Sequence, residues 1–236
     1  MVDLKRLSWT MVPIYAMVFL AVIMAAVWTD NTVAAMSESR PLENRHCIII
    51  DAGHGGLDGG ATSCTGVLES HLNLEIALRL NDLFQLLGYN TQMIRTSDIS
   101  VYTNGDTIAQ KKISDLKQRV ETVNGQEKGI LVSIHQNNFN DSRYSGAQVF
   151  YSKAAKSEDL AKKMQRCLID NLNPGSHRQA KQASGVYLME HIQCTGVLIE
   201  CGFLSNPEEE ANLRSDEYQK KLSCVIAASV SRFLSP

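Results

Sequence analysis

The stretch IIIDAGHGGLDGG at residues 48–60 constrains the fold of this chain more than any other. A short apolar run closed by glycines reads as a buried strand that stops abruptly, so the turn behind it presents side chains at the rim of a sheet. His54 stands at the centre of that turn. A lone histidine in a turn is most often a hydrogen-bonded or exposed imidazole, so any chemistry here needs partners from elsewhere in the chain.

The periodicity of the remaining sequence says where such partners can come from. Leu72, Ile76, Leu80, Leu83 and Leu87 recur at helical spacing over residues 70–87, and Gly88 follows where a left-handed capping glycine is expected. Residues 91–95 read as a second strand and 97–112 as a long surface loop. A helix over 114–124 leads into a strand over 129–135 and another over 147–151. A helix over 157–172, a short strand over 186–189 and a strand over 197–201 come next. Pro207 with Glu208 to Glu210 marks a helix start, and 216–234 forms a closing helix. Strands alternating with helices in this way predict a single three-layer α/β domain over residues 47–236, with a largely parallel central sheet covered by helices on both faces. Ligands of such sheets bind outside the carboxyl ends of the strands, where the loops converge.

The N-terminus departs from this pattern. Lys5 and Arg6 precede the nearly uncharged residues 7–28, which at about 1.5 Å per residue are long enough to cross the roughly 30 Å hydrocarbon layer. Val33 and Ala35 fit a small-residue cleavage site, so residues 1–35 read as a hydrophobic helix that is either a removable signal peptide or a retained membrane anchor. Residues 36–46 then form a polar linker. In both cases Lys5 and Arg6 stay cytoplasmic and the rest of the chain is exported.

With 236 residues and 44% hydrophobic content the chain can bury one sizeable core, and its net charge of −2, without a basic stripe, excludes nucleic acid as a partner. Six cysteines in an exported chain would suggest disulfides. No CxxC spacing occurs, and Cys47, Cys201 and Cys224 lie in apolar runs where cysteine serves as a small buried hydrophobe, so few bridges are expected.

Four polar groups map to one edge of the expected sheet: His54 after the first strand, His135 at the end of 130–134, Glu200 at the end of 197–199, and Glu69 just before the first helix. Each alone has an ordinary structural explanation. Together they require four unrelated reasons for polar groups at strand ends, and an unpaired charge behind the apolar runs at His135 and Glu200 costs several kcal/mol, on the order of 3–5. A zinc ion (Zn2+) removes that difficulty. Two imidazoles and a carboxylate leave a fourth tetrahedral position for water, whose pKa falls to roughly 7, and one further carboxylate serves as general base. His54, Glu69 and His135 are then the ligands and Glu200 the base, although spacing alone does not decide which glutamate has which task. Arg178 and Asn137 lie in loops placed to hold substrate carbonyls or carboxylates. Asp51 is expected to hydrogen-bond the turn or orient an imidazole, Arg95 to pair with Asp98, and Arg119 to anchor its helix.

The blocks IDAGHGGLDGGA, LES, SIHQN and IECGFLSNPEE resemble, in this order, the signatures of the zinc-dependent N-acetylmuramoyl-L-alanine amidases of cell-wall metabolism. The block RQAKQASGVYLMEHIQCTGVLIECGFLSNP and the single domain behind one hydrophobic segment are most similar to that family's germination-specific, spore-cortex members. The resemblance places the zinc ligands on His54, Glu69 and His135 and the catalytic glutamate on Glu200, in agreement with the chemical assignment. Ser70 and Thr195 depart from the lysine and proline that many relatives carry, and neither touches zinc. The resemblance implies cleavage of the amide between the muramic acid lactyl group and L-alanine of peptidoglycan, preparing cortex for the δ-lactam needed in germination. It further implies export to the forespore intermembrane space or cortex, membrane attachment if the segment is uncleaved, and room for an activating lipoprotein partner. Three rivals are weaker. A phosphate-binding GxGxxG fails because Asp58 stands at the third glycine, a zinc peptidase of the HExxH type lacks its motif, and a catalytically silent peptidoglycan-binding module would be expected to have lost one of the four groups.

Overall fold

The computed structural model describes residues 46–235; the hydrophobic segment at 1–35 and residues 36–45 of the linker lie outside them. Six strands form one sheet: β1 (Cys47–Ala52), β2 (Asn90–Met93), β3 (Gly129–Asn137), β4 (Gln148–Tyr151), β5 (Lys181–Gln182) and β6 (Thr195–Phe203). Their order is β2-β1-β3-β6-β4-β5. The first four of these run parallel, while β4 is antiparallel to β6 and β5 follows β4. The helices are α1 (Glu69–Leu86), α2 (Ile108–Asn124), α3 (Ser157–Asn171), α4 (Tyr187–His191), α5 (Pro207–Leu213) and α6 (Asp216–Leu234). Among the described residues no helix is long and apolar enough to cross a membrane.

The central strands are buried on both sides, and successive side chains point to opposite faces. Ile48, Ile50, Ile130, Val132, Ile134, Val197 and Ile199 pack with Leu72, Ile76 and Leu80 of α1, Leu160 and Met164 of α3 and Leu222 and Ile226 of α6. Each such side chain contributes about 1.5–3 kcal/mol of burial. The other face carries a smaller core, in which Ile49, Leu131 and Leu198 meet Val123 of α2 and Leu188 and Met189 of α4. Gly88, at a φ of 79°, closes α1: its N–H donates to Gln85 O and that of Tyr89 to Phe84 O, the pattern of a glycine-terminated helix.

Four readings need correction. Residues 186–189 do not form a strand, because Tyr187–His191 is a one-turn helix whose Glu190 carboxylate accepts from Gly185 N. Helix α2 starts at Ile108, inside the segment read as loop. There a capping box operates, with Thr107 Oγ1 accepting from Gln110 N and Gln110 Oε1 from Thr107 N. The two exposed residues of β5 were not read as a strand at all. All six cysteines are free thiols, but Cys224 is exposed on α6 while Cys47 and Cys201 are buried.

Candidate metal and catalytic site

The turn after β1 is held in an unfavourable conformation by two buried arginines. His54 has a φ of 60°, in the left-handed region that a non-glycine residue enters only when its surroundings fix it. Arg119 of α2 donates from Nη2 to His54 O (2.7 Å), and Arg95 donates from Nε to Ala52 O (2.8 Å) and from Nη2 to Gly53 O (3.0 Å). Arg95 also reaches Ser97 O and Ser70 O, so its contacts are to backbone carbonyls rather than the expected pairing with Asp98, which accepts from Gly56 N and pairs with His71. Asp51 does not orient an imidazole either. It is fully buried, forms an ion pair with Arg119 and accepts from Ser133 Oγ (2.6 Å).

The glycines make room for side chains. A Cβ on Gly53 would fall 2.2 Å from the His135 ring, and one on Gly60, at a φ of 68°, would fall 2.6 Å from Glu69 Oε2 and 2.8 Å from His54 Cδ2. The turn thus leaves a cradle in which two imidazoles and a carboxylate meet. His54 Nε2 is 3.3 Å from Glu69 Oε2, His135 Nδ1 is 3.0 Å from Glu69 Oε1, and the two rings meet edge to face with centroids 5.0 Å apart. One donor atom from each of the three residues lies within 4.8 Å of the other two. Ligand atoms about 2.1 Å from a tetrahedral zinc stand roughly 3.4 Å apart; this donor set fits that ion in kind, and the two contacts to Glu69, at 3.3 and 3.0 Å, lie near that spacing.

Surrounding contacts fix the donors. Ala61 N donates to Glu69 Oε2, and Gln136 N and Asn73 Nδ2 donate to Oε1. Asp58 Oδ2 lies 3.0 Å from His54 Nδ1 and 3.1 Å from Lys112 Nζ, which holds the imidazole with Nε2 facing the cradle. Burial would raise the Glu69 carboxyl, but the hydrogen bonds from His135 and His54 outweigh it and hold the group below its ordinary range. Burial would likewise lower the His54 imidazole, yet Glu69 and Asp58 raise it.

Glu200 pairs in register with His135 across β3 and β6 and lies on the same face of the sheet. Its Oε2 is buried with no hydrogen-bond partner among the described residues. Burial raises its carboxyl above the ordinary value, more than the nearby His135 lowers it. A cleft of about 210 Å3 opens beside the cradle, lined by His54, His135, Tyr102, Lys111, Lys112 and Leu198. Asn137 ends β3 two residues beyond His135. Arg178 is outside that cleft: it donates from Nε to Ser145 O and from Nη1 to Gln148 Oε1 (both 2.8 Å), and its guanidinium lies 4.7 Å from the Phe203 ring centroid. Gln148 is in turn the β4 partner of Glu200. The roles of Arg95 and Arg119 had no sequence signal beyond their residue type, because they act across the fold, whereas Asp58 and Asn73 each stand four residues from the donor they hold, His54 and Glu69, a spacing the sequence did show.

Comparison with known proteins identifies the family. The model of the N-acetylmuramoyl-L-alanine amidase family (Amidase_3) matches residues 48–232. The chain is 39% identical over 199 residues to the germination-specific N-acetylmuramoyl-L-alanine amidase of Bacillus subtilis, an alignment covering 84% of this chain and 83% of that one. The solved CwlD amidase from Clostridioides difficile, in complex with the GerS lipoprotein, superposes with a TM-score of 0.77 at 36% identity, covering 80% of this chain and 98% of that one. The N-acetylmuramoyl-L-alanine amidase from Clostridium difficile 630 does so with a TM-score of 0.69 at 30% identity, covering 81% and 97%. From its order of motifs, its fold and the span of these matches, the chain belongs to the N-acetylmuramoyl-L-alanine amidase family of cell-wall enzymes.

Proposed function

We propose that this amidase is zinc-dependent, with His54, Glu69 and His135 holding the ion and Glu200 acting as general base and then acid. The observation that carries the reading is the convergence of three donors within 4.8 Å beside a strand neighbour, Glu200, whose buried oxygen lacks a partner. When bound, zinc would supply Lewis-acid polarisation and lower the pKa of water to about 7. The reaction breaks the bond between the lactyl carbonyl carbon of muramic acid and the nitrogen of L-alanine and adds water across it. Glu200 removes a proton from the attacking water and returns it to the leaving nitrogen, a task suited to a carboxyl raised by burial. Arg178 and Asn137, at the carboxyl edge of the sheet, are the proposed substrate-binding side chains.

The likeness to a germination-specific relative supports spore cortex as the substrate, with stem removal preparing muramic acid for the δ-lactam. It also supports export to the forespore intermembrane space or cortex, with residues 1–35 acting as signal or anchor. The CwlD structure contains a lipoprotein, and an activating lipoprotein is the proposed partner here as well. Digestion of cortex-type peptidoglycan by chelator-stripped and zinc-restored protein tests the reading. Zinc is expected to restore release of intact stem peptides and to leave free lactyl carboxyls. Cleavage inside the stem, or equal release by the stripped protein, would overturn it.

A further inference from the structure

The loop 138–146 between β3 and β4 carries two exposed aromatic rings, Phe139 (52% exposed) and Tyr144 (47%). Exposed aromatics on a surface loop are costly to leave in water, and here they are ordered into a row. Phe139 meets Tyr144 edge to face with centroids 4.8 Å apart, Tyr144 tilts over Phe203 at 6.2 Å, and the Arg178 guanidinium covers Phe203 at 4.7 Å. Two exposed rings thus stand beyond the carboxyl ends of β3 and β6, resting on the buried Phe203 (4% exposed), which Arg178 also covers.

The loop backbone is fixed by side chains from outside it. Phe139 N donates to Ser205 Oγ (3.1 Å), Tyr144 O accepts from Asn206 Nδ2 (3.3 Å), Ser145 O from Arg178 Nε (2.8 Å), and Gly146 N donates to Glu209 Oε1 (2.7 Å). Glu209 Oε2 also accepts from Phe203 N (2.8 Å), so one carboxylate ties the loop to the end of β6. Such bracing lowers the ordering needed when a ligand arrives, which is what a rigid aromatic contact surface requires. An open groove of about 770 Å3 runs alongside, with Tyr144, Arg178 and Asn206 among its walls.

We infer that Phe139 and Tyr144, backed by the buried Phe203 and by Arg178, form a sugar-stacking subsite that grips the glycan strand of peptidoglycan next to the cleaved muramoyl amide. This rests on the hydrolytic reading above and deepens it. One face of a pyranose presents only C–H groups, which pack on the apolar face of an aromatic ring, whereas the stem peptide offers carboxylates and amides with no demand for a row of rings. The placement suits a polymer: Asn137 is two residues beyond His135 and Phe203 three beyond Glu200, so the row begins where the cradle ends. A strand whose lactyl group enters the cradle must continue on to neighbouring sugars.

The test titrates the zinc-loaded full chain with a stem-free glycan strand, (GlcNAc-MurNAc)2, and with free stem tetrapeptide. Replacing Phe139 and Tyr144 together by Ala is expected to weaken glycan binding about tenfold or more, since each ring contributes about threefold by stacking. Phe139→Trp with Tyr144→Trp should restore it, and peptide binding should change by less than twofold. The ratio of kcat/KM on polymeric cortex to that on a single muramoyl-L-alanine unit should fall by a similar factor. Circular dichroism and the single Phe139→Ala variant show whether the fold survives. Unchanged glycan affinity in the double variant, or no glycan binding by the parent chain, overturns the inference; so would loss of lipoprotein binding with glycan affinity intact, which would make the row a protein-docking surface. Failure of the parent chain to cleave both the single muramoyl unit and polymeric cortex would instead sink the hydrolytic reading.

Discussion

The two faces of the central sheet are built from the same strands but carry different chemistry. Toward α1, α3 and α6, residues such as Ile50, Val132, Ile134 and Ile199 form a continuous apolar core. Toward α2 and α4, the alternate positions start apolar with Ile49, Leu131 and Leu198 and then turn polar at the carboxyl end, through Asp51 and Ser133 to His135 and Glu200. One face stores stability. The other buries charged and polar groups at its carboxyl end, where Arg119 pairs with Asp51 and Arg95 holds the carbonyls of the turn.

The largest effect should come from breaking the polar face. Arg119→Met strands the buried Asp51 carboxylate, and denaturant unfolding should show a loss of about 3–5 kcal/mol; adding Asp51→Leu should recover most of it, because apolar replacement of both partners removes the unpaired charge. The pair also has a pH signature. Burial alone would raise Asp51, but Arg119 outweighs it and depresses the group. A depressed carboxyl contributes stability that is full above its unfolded pKa of about 3.9 and is lost as pH falls through the folded value. Stability of the parent chain should therefore decline below about pH 4, with a shallower slope in the double variant.

On the apolar face, Leu222→Ala should cost about 2–5 kcal/mol by the same assay and leave the zinc affinity of the folded protein where it was. A parallel loss of metal would show that the two faces are not separable. Asp58→Asn should do the reverse, weakening zinc affinity in chelator competition by about 10–100-fold with a smaller change in unfolding. The smallest effect expected is Thr107→Ala, about 1 kcal/mol from loss of the capping box; no change at all would mean that the first turn of α2 is held by other contacts.

Much of this division was legible in the sequence. The run at 48–52, helix α1 with its terminal Gly88 and the closing helix α6 announce themselves by apolar periodicity, and four polar residues at strand ends suggested a single edge. Local ambiguity explains the misreadings. The apolar run VYLM at 186–189 is too short to separate strand from helix by period. The start of α2 was signalled by Thr107 and Gln110, but its polar surface hid it, and β5 exists only through its pairing with β4. Arg95 and Arg119 could not be assigned because their partners are carbonyls and a carboxylate brought together only by the sheet.

The most direct measurement is zinc content beside muropeptide analysis for the parent chain and Glu200→Gln, an isosteric change at the carboxylate with the unpartnered oxygen. The account predicts about one zinc per chain in both, on the three-donor site, and stem-peptide release reduced by roughly a hundredfold or more in the variant. Release at the parental rate, or disappearance of zinc from the variant, would contradict it.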